Sequence, residues 1–281
     1  MPRLFRQSFH ELCAFLGLAM LAPPVSAGAA DEPPPPRRIV SLNLCADQYL
    51  LALADPAQIA GLTPLSRDPA MSTDADKARR LPVSRGTAED IVALDPDLVI
   101  LRPARRKGLG QAKESGTYRT IALAPVHSYA DIVAQIREVA AAVGHPARGE
   151  AMIARMDAGL ARLPRPRRTG TAAFYQRRGY LTGTGSLVDD LMHRAGLTNL
   201  AARLDRPALS RLTIEQMVAA QPDFLIVEDR AGGITDQGSE MLDHPALRAI
   251  PRLRLPQAWT MCGGPAYVAA ARSLIDQINA R

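Results

Sequence analysis

Two apolar runs, DLVIL at 97–101 and DFLIV at 223–227, each follow an aspartate with four consecutive nonpolar residues. Runs of that length between turn residues predict strands buried on both faces, as in a parallel sheet. The same phrase precedes both. TAEDIVALDPDLVIL runs from Thr87 to Leu101 and TIEQMVAAQPDFLIV from Thr213 to Val227, at a fixed offset of 126 residues. Thr87 and Thr213 read as helix N-caps, with Asp90 and Gln216 at the third helical position, where a capping box needs an acceptor. Of the two, glutamine is the better match. Pro96 and Pro222 end the short helices that follow. Upstream, RRIVSLNL leads into ADQYLLALA, and GTAAFYQ leads through a glycine turn into SLVDDLMHRAG. Strands alternating with helices predict an α/β fold of two related lobes with mainly parallel sheets.

Between the lobes, Ile132, Ile136, Val139 and Val143 keep helical spacing. Gly144 stops that helix and Pro146 suits the first turn of the next. The second segment would run to about Leu163, roughly 27 Å at 1.5 Å per residue, before PRPRR breaks it. The expected organisation is an N-terminal lobe over 28–141, one long rigid inter-lobe helix within 142–165 and a C-terminal lobe over 166–281. A single helical bridge would hold the lobes side by side. The crevice at the carboxyl ends of their strands is then the expected ligand site.

The first thirty residues are different in kind. Arg3 and Arg6 precede an apolar stretch from Leu12 to Leu21, and Val25-Ser26-Ala27 offers a small-residue cleavage site. This is the layout of a secretory signal peptide, 1–27, whose removal leaves 254 of the 281 residues. Cys13 lies inside the apolar stretch and is not read as a lipid-attachment site. DEPPPPRR at 31–38 reads as a stiff, exposed spacer. The net charge of +6 becomes +5 once Arg3, Arg6 and Glu11 leave, and the basic residues are scattered. No aromatic-plus-basic nucleic-acid motif occurs. The mild basicity fits an anionic small ligand as well as it fits simple solubility.

The doubled phrase, with Glu89 and Glu215 in register, and the single bridging helix resemble the periplasmic substrate-binding proteins of ABC importers for iron-siderophores, haem and cobalamin. The resemblance covers nearly all of the mature chain. It implies a monomeric, exported, non-catalytic protein that carries a metal chelate as cargo, without a cofactor of its own. It further implies that Glu89 and Glu215 dock onto arginines of a permease dimer in the inner membrane. A helix dipole alone favours a first-turn glutamate by about 0.3–1 kcal/mol; the doubling is what points beyond capping.

The same resemblance supplies ligand-wall positions. Trp259 stands six residues before Pro265, as does a wall tryptophan in cobalamin-type members, and Tyr180 in GYLTGTGS matches an aromatic. Ser84, Arg85 and Gly86 fall on a ligand-facing loop, Arg102 ends the DLVIL strand and Arg67 follows IAGL. Where the cobalamin binder has aromatics at two of these sites, this chain has Ser84 or Arg85 and Arg102. Arginine suits carboxylates, catecholates or haem propionates. The plain structural alternatives are a core anchor for Trp259 and solvated surface side chains for the arginines.

Cys45 and Cys262 fall on expected cleft-facing loops, one per lobe. They could pair across the cleft, ligate haem or cobalt, or stay as inert thiols, the last being preferred. A zinc- or manganese-importer component would need several converging His and carboxylate ligands. Only His127 sits at an expected strand end; His145, His193 and His244 read as helix-end or helix-surface residues. A secreted enzyme using Cys45 as thiolate and His127 as base has no local motif behind it.

Overall fold

A computed structural model describes residues 34–106, 118–229, 238 and 240–281; the expected signal peptide lies outside them. Among the described residues, β1 (Ile39–Ser41), β2 (Ile59–Gly61), β3 (Leu98–Leu101) and β4 (Arg119–Ala122) form one sheet in the order β2-β1-β3-β4. All its pairings are parallel. The second sheet has β5 (Gly170–Gln176), β6 (Tyr180–Thr182), β7 (Leu197–Asn199), β8 (Leu209–Arg211), β9 (Phe224–Asp229) and β10 (Arg252–Pro256). Its order is β10-β9-β5-β6-β8, with β7 beside β5. Here β10, β9, β5 and β7 run parallel, whereas β6 turns back antiparallel on β5 and pairs antiparallel with β8. Gly179, at φ +76°, makes that return possible, because the left-handed region is open to glycine at no steric cost.

The repeated phrase folds the same way twice. Thr87 and Thr213 cap the helices Ala88–Leu94 and Ile214–Ala220, each hydroxyl accepting the N–H of the third helical residue at 3.2 Å. Both helices stop at a left-handed residue, Asp95 (φ 41°) and Gln221 (φ 46°), followed by proline. Ile91 and Met217 turn inward and are buried. β3 and β9 then begin 126 residues apart, at Leu98 and Phe224.

The connecting region is two helices, Tyr129–Ala142 and Pro146–Ala161. Gly144 breaks them at φ +83°, where an added Cβ would lie 2.6 Å from Pro35. The second helix has 16 residues, about 24 Å at 1.5 Å per residue; it begins at Pro146 as expected and ends two residues before Leu163. Its start is tied to the first sheet's side: Arg148 donates to Leu53 O at 2.6 Å and to Asp55 at 2.9 Å. Near its end Gly159 lies against Val268, where a Cβ would come within 2.8 Å. The largest apolar cluster is continuous across both sheets, running from Ile39 and Ile100 through Ile136, Ile153 and Met156 to Phe174, Ile226 and Leu274. Tyr129 stacks on Tyr267 at 5.3 Å, with the Arg194 guanidinium 5.5 Å from each ring. The Tyr129 hydroxyl donates to Asp157 at 2.7 Å. These contacts join helices from both halves of the chain.

Candidate ligand cavity

A cavity of about 640 Å³ opens where the strands of both sheets end. From the N-terminal lobe it is lined by Leu42, Asn43 and Cys45 beyond β1, Thr63 beyond β2, Arg102 beyond β3 and Leu123 to Val126 beyond β4. From the C-terminal lobe come Phe174 and Gln176 of β5, Thr182 of β6, Ser186 to Val188, Glu228 of β9, and Thr260, Met261 and Gly263. The carboxyl ends of parallel strands from both sheets meet here, which is the crevice that ligands favour in such α/β sheets. The volume lies in the range of small-molecule sites. Most lining side chains are apolar. Among the described lining residues, Arg102 and Glu228 are the charged pair.

The polar groups around the wall are themselves held. The Thr260 hydroxyl donates to Glu228 Oε1 at 2.9 Å. Gln135 donates to Ala124 O at 2.5 Å, fixing the loop beyond β4. Behind Thr63 lies Asp47, fully buried, which accepts both the Thr63 N–H and its hydroxyl. Burial pushes the Asp47 carboxyl up to about 6, against the opposing pull of its hydrogen bonds from Ser41 and Thr63.

Of the expected ligand residues, Cys45 and Arg102 line the cavity. The Cys45 and Cys262 sulfurs are bonded to each other, with Cα atoms 5.3 Å apart and 217 residues between them in sequence. This corrects the preferred reading of two inert thiols. It also leaves neither of these two cysteines as a thiol for metal ligation, nor Cys45 as a nucleophile. Trp259 is half-buried against the core, while its neighbours Thr260 and Met261 line the cavity. Tyr180 packs beneath the Arg211 guanidinium at 5.4 Å. Arg67 donates to Leu81 O at 2.6 Å. Ser84 is buried and donates to Asp90 at 2.5 Å, whereas Arg85 is exposed and gives its backbone N–H to the same carboxylate at 2.8 Å. Trp259, Tyr180, Arg67, Ser84, Arg85 and Cys262 are not among the described lining residues. Glu228, Gln176 and Asn43 are, and the rule that ligands meet strand carboxyl ends would have found each.

Glu89 and Glu215 are exposed, away from the cavity lining. Each carboxyl is held below its usual range, first by its own backbone N–H and then by the capping threonine. One turn on, Val92 and Val218 are 59% and 40% exposed, so each lobe shows an acid beside an apolar side chain. His127 is exposed. Among the described residues no group of three or more His, Cys, Asp or Glu could hold a metal ion. No described helix is long and apolar enough to cross a membrane.

Similar architecture recurs in solved structures. The periplasmic haem-binding protein RhuT from Roseiflexus sp. RS-1 is 27% identical, with a TM-score of 0.68 over 87% of this chain and 98% of that one. The ABC-type Fe3+-hydroxamate transport protein from Saccharomonospora viridis is 20% identical, with a TM-score of 0.63 over 86% and 93%. The vitamin B12-binding protein BtuF of Vibrio cholerae is 16% identical, with a TM-score of 0.65 over 88% and 98%. No curated protein matches the sequence. The profile of the Periplasmic binding protein family matches residues 39–254; with the two-lobe α/β architecture and the cavity between strand ends, the chain belongs to that family.

Proposed function

We propose that this protein captures a metal chelate, whether haem, a ferric siderophore or a cobalamin, in the inter-lobe cavity and delivers it to an ABC permease of the inner membrane. The observation that carries this reading is the cavity itself: about 640 Å³, largely apolar, and walled by both lobes at their strand ends. A chelate of that size offers apolar faces for the walls and a few polar edges for Asn43, Arg102, Gln176 and Glu228. The relatives' cargoes, haem, Fe3+-hydroxamate and vitamin B12, are of this kind. The N-terminal segment acts as a cleaved export signal, and the protein works as a monomer without catalysing a reaction.

Docking is assigned to the faces carrying Glu89 and Glu215. Their support is the duplication at one offset, the exposure of both carboxylates, and the valine that accompanies each. The helix Pro146–Ala161 acts as the inter-lobe brace, supported by its contacts near Leu53 at one end and Val268 at the other.

Tryptophan fluorescence tests the cargo reading, because Trp259 is the single tryptophan and Thr260 beside it lines the cavity. Titration with haemin, cyanocobalamin and ferrioxamine B is expected to give saturable one-to-one quenching with at least one of them. Absence of binding for all three, by fluorescence and by calorimetry, would contradict it.

A further inference from the structure

We propose that the Cys45–Cys262 bond is a redox latch on the cargo cavity. A dithiol reductant opens it at Cys45, the lobes loosen along the seam it closes, and cargo is held less tightly. This rests on the chelate-binding reading above and adds a control to the same cavity.

The bond crosses from lobe to lobe at the cavity wall. Cys45 lies in the helix Leu44–Leu53 after β1, and Cys262 lies between the helices Gln257–Thr260 and Ala266–Asn279 after β10. Cys45 lines the cavity together with Met261 and Gly263, the two neighbours of Cys262. The two sulfur-bearing residues are not equally reachable. Cys45 is partly exposed, whereas Cys262 is only 1% exposed. Beside the bond the chain from the C-terminal lobe comes close to helices of the other half. A Cβ added to Gly263 would lie 2.5 Å from Ile132 and 3.1 Å from the Tyr49 hydroxyl oxygen. That hydroxyl is buried and has no hydrogen-bond partner among the described residues. Opening the seam would return it to water, so the hydroxyl disfavours the closed arrangement that the covalent bond holds.

The exchange chemistry follows from which sulfur can be reached. One thiolate of the reductant attacks the Cys45 sulfur from the cavity, forming a mixed disulfide and releasing Cys262 as a thiolate. The second thiolate of the reductant then attacks the reductant's own sulfur in that mixed disulfide and releases Cys45. The reductant leaves as a disulfide, and its two protons end on Cys45 and Cys262. Cargo seated in the cavity covers Cys45, so cargo binding and reduction oppose one another.

The test compares the oxidised protein, the protein reduced with dithiothreitol, and the double variant Cys45→Ser with Cys262→Ser, each checked for its fold by circular dichroism. Trp259 is the single tryptophan and stands three residues before Cys262, so its quenching by acrylamide reads the seam without any cargo. A 2-mercaptoethanol adduct, trapped by acid and mapped by peptide mass, reads the point of attack. Calorimetry with gallium desferrioxamine B, gallium protoporphyrin IX and cyanocobalamin reads affinity, and the gallium probes are not reduced by thiols. Dithiothreitol is expected to reduce the folded protein, with the adduct on Cys45. Quenching of Trp259 should rise in both thiol and serine forms, and the double variant should bind at least one probe about fivefold or more weakly than the oxidised protein. A gallium probe that binds should also slow the reduction. A bond that resists dithiothreitol until the protein is denatured would overturn the latch, as would an adduct on Cys262. Unchanged quenching or unchanged affinity in the folded, opened forms would do the same. Loss of the fold on opening would make the bond a structural staple and also overturn the proposal. If no probe binds the oxidised protein, the chelate reading falls, and the quenching and the adduct still decide whether the bond holds the seam.

Discussion

Asp90 and Gln216 hold the same position in the two copies of the repeated unit, yet their side chains do different jobs. Gln216 reaches back to the Thr213 N–H at 3.0 Å and closes a capping box. The Asp90 carboxylate turns instead to the loop upstream, accepting from Ser84 Oγ at 2.5 Å, Arg85 N at 2.8 Å and Gly86 N at 3.4 Å. The reason lies in what precedes each helix. In the C-terminal lobe that segment is β8, already held by its ladder to β6. In the N-terminal lobe, Ser84 to Gly86 is outside any strand, beside the isolated Leu62–Val83 bridge and under an Arg105 hydrogen bond to Gly86 O at 3.1 Å, and Gly86 sits at φ +73°. A carboxylate with three donors supplies the anchoring that a sheet supplies in the other copy. Backbone-building positions stayed alike while the side chains leaving them took on separate work.

The largest effect is expected where the copies act together. Reversing both proposed docking acids, Glu89→Lys with Glu215→Lys, should abolish chelate uptake in liposomes carrying the permease while leaving chelate affinity unchanged. Each single reversal should produce a similar partial loss, and a strong asymmetry would break the equivalence of the two faces. Next come Ile100 and Ile226, which occupy matching places, are fully buried and share the same apolar cluster. Ile100→Ala and Ile226→Ala should each cost about 2–5 kcal/mol in chemical denaturation, to a similar degree.

The sharpest contrast is smaller. Asp90→Ala should cost about 1–3 kcal/mol by leaving buried Ser84 and the loop amides without their acceptor. Gln216→Ala should cost about 0.5–1 kcal/mol, the value of a cap. Acid should erase the difference. The Ser84 hydroxyl, followed by the Gly86 and Arg85 amides, holds the Asp90 carboxyl below its usual range against the weaker effect of burial. A depressed folded value means the contribution is complete above about pH 4, the unfolded aspartate value, and is lost as pH falls through the folded value. Denaturation of both variants at pH 7 and pH 3 checks this. A gap of the same size at both pH values would contradict the anchoring role.

Much of this was legible because the chemistry is local. A threonine before an apolar-periodic stretch caps its helix whatever surrounds it, and GTAAFYQ at 170–176 became β5 from end to end. The three-residue strands β6, β7 and β8 are too short to carry a period, so the antiparallel part of the second sheet is not visible in the pattern. The Cys45–Cys262 bond joins residues 217 apart, a pairing that depends on how the lobes meet. Spacing from Trp259 to Pro265 fixes where the tryptophan sits on the chain; packing against the core set how it is buried. Glu228 follows from the same offset and the same strand-end rule that single out Arg102.

The most direct test is a crystal structure of the protein with whichever of haemin, cyanocobalamin or ferrioxamine B binds it in calorimetry. The chelate is expected between the strand ends, touching Asn43 or Arg102 on one wall and Gln176 or Glu228 on the other. A chelate seated on one lobe alone, or in the separate groove of about 600 Å³ beside Pro222, Phe224 and Pro251, would contradict a cargo site built from two copies of one unit.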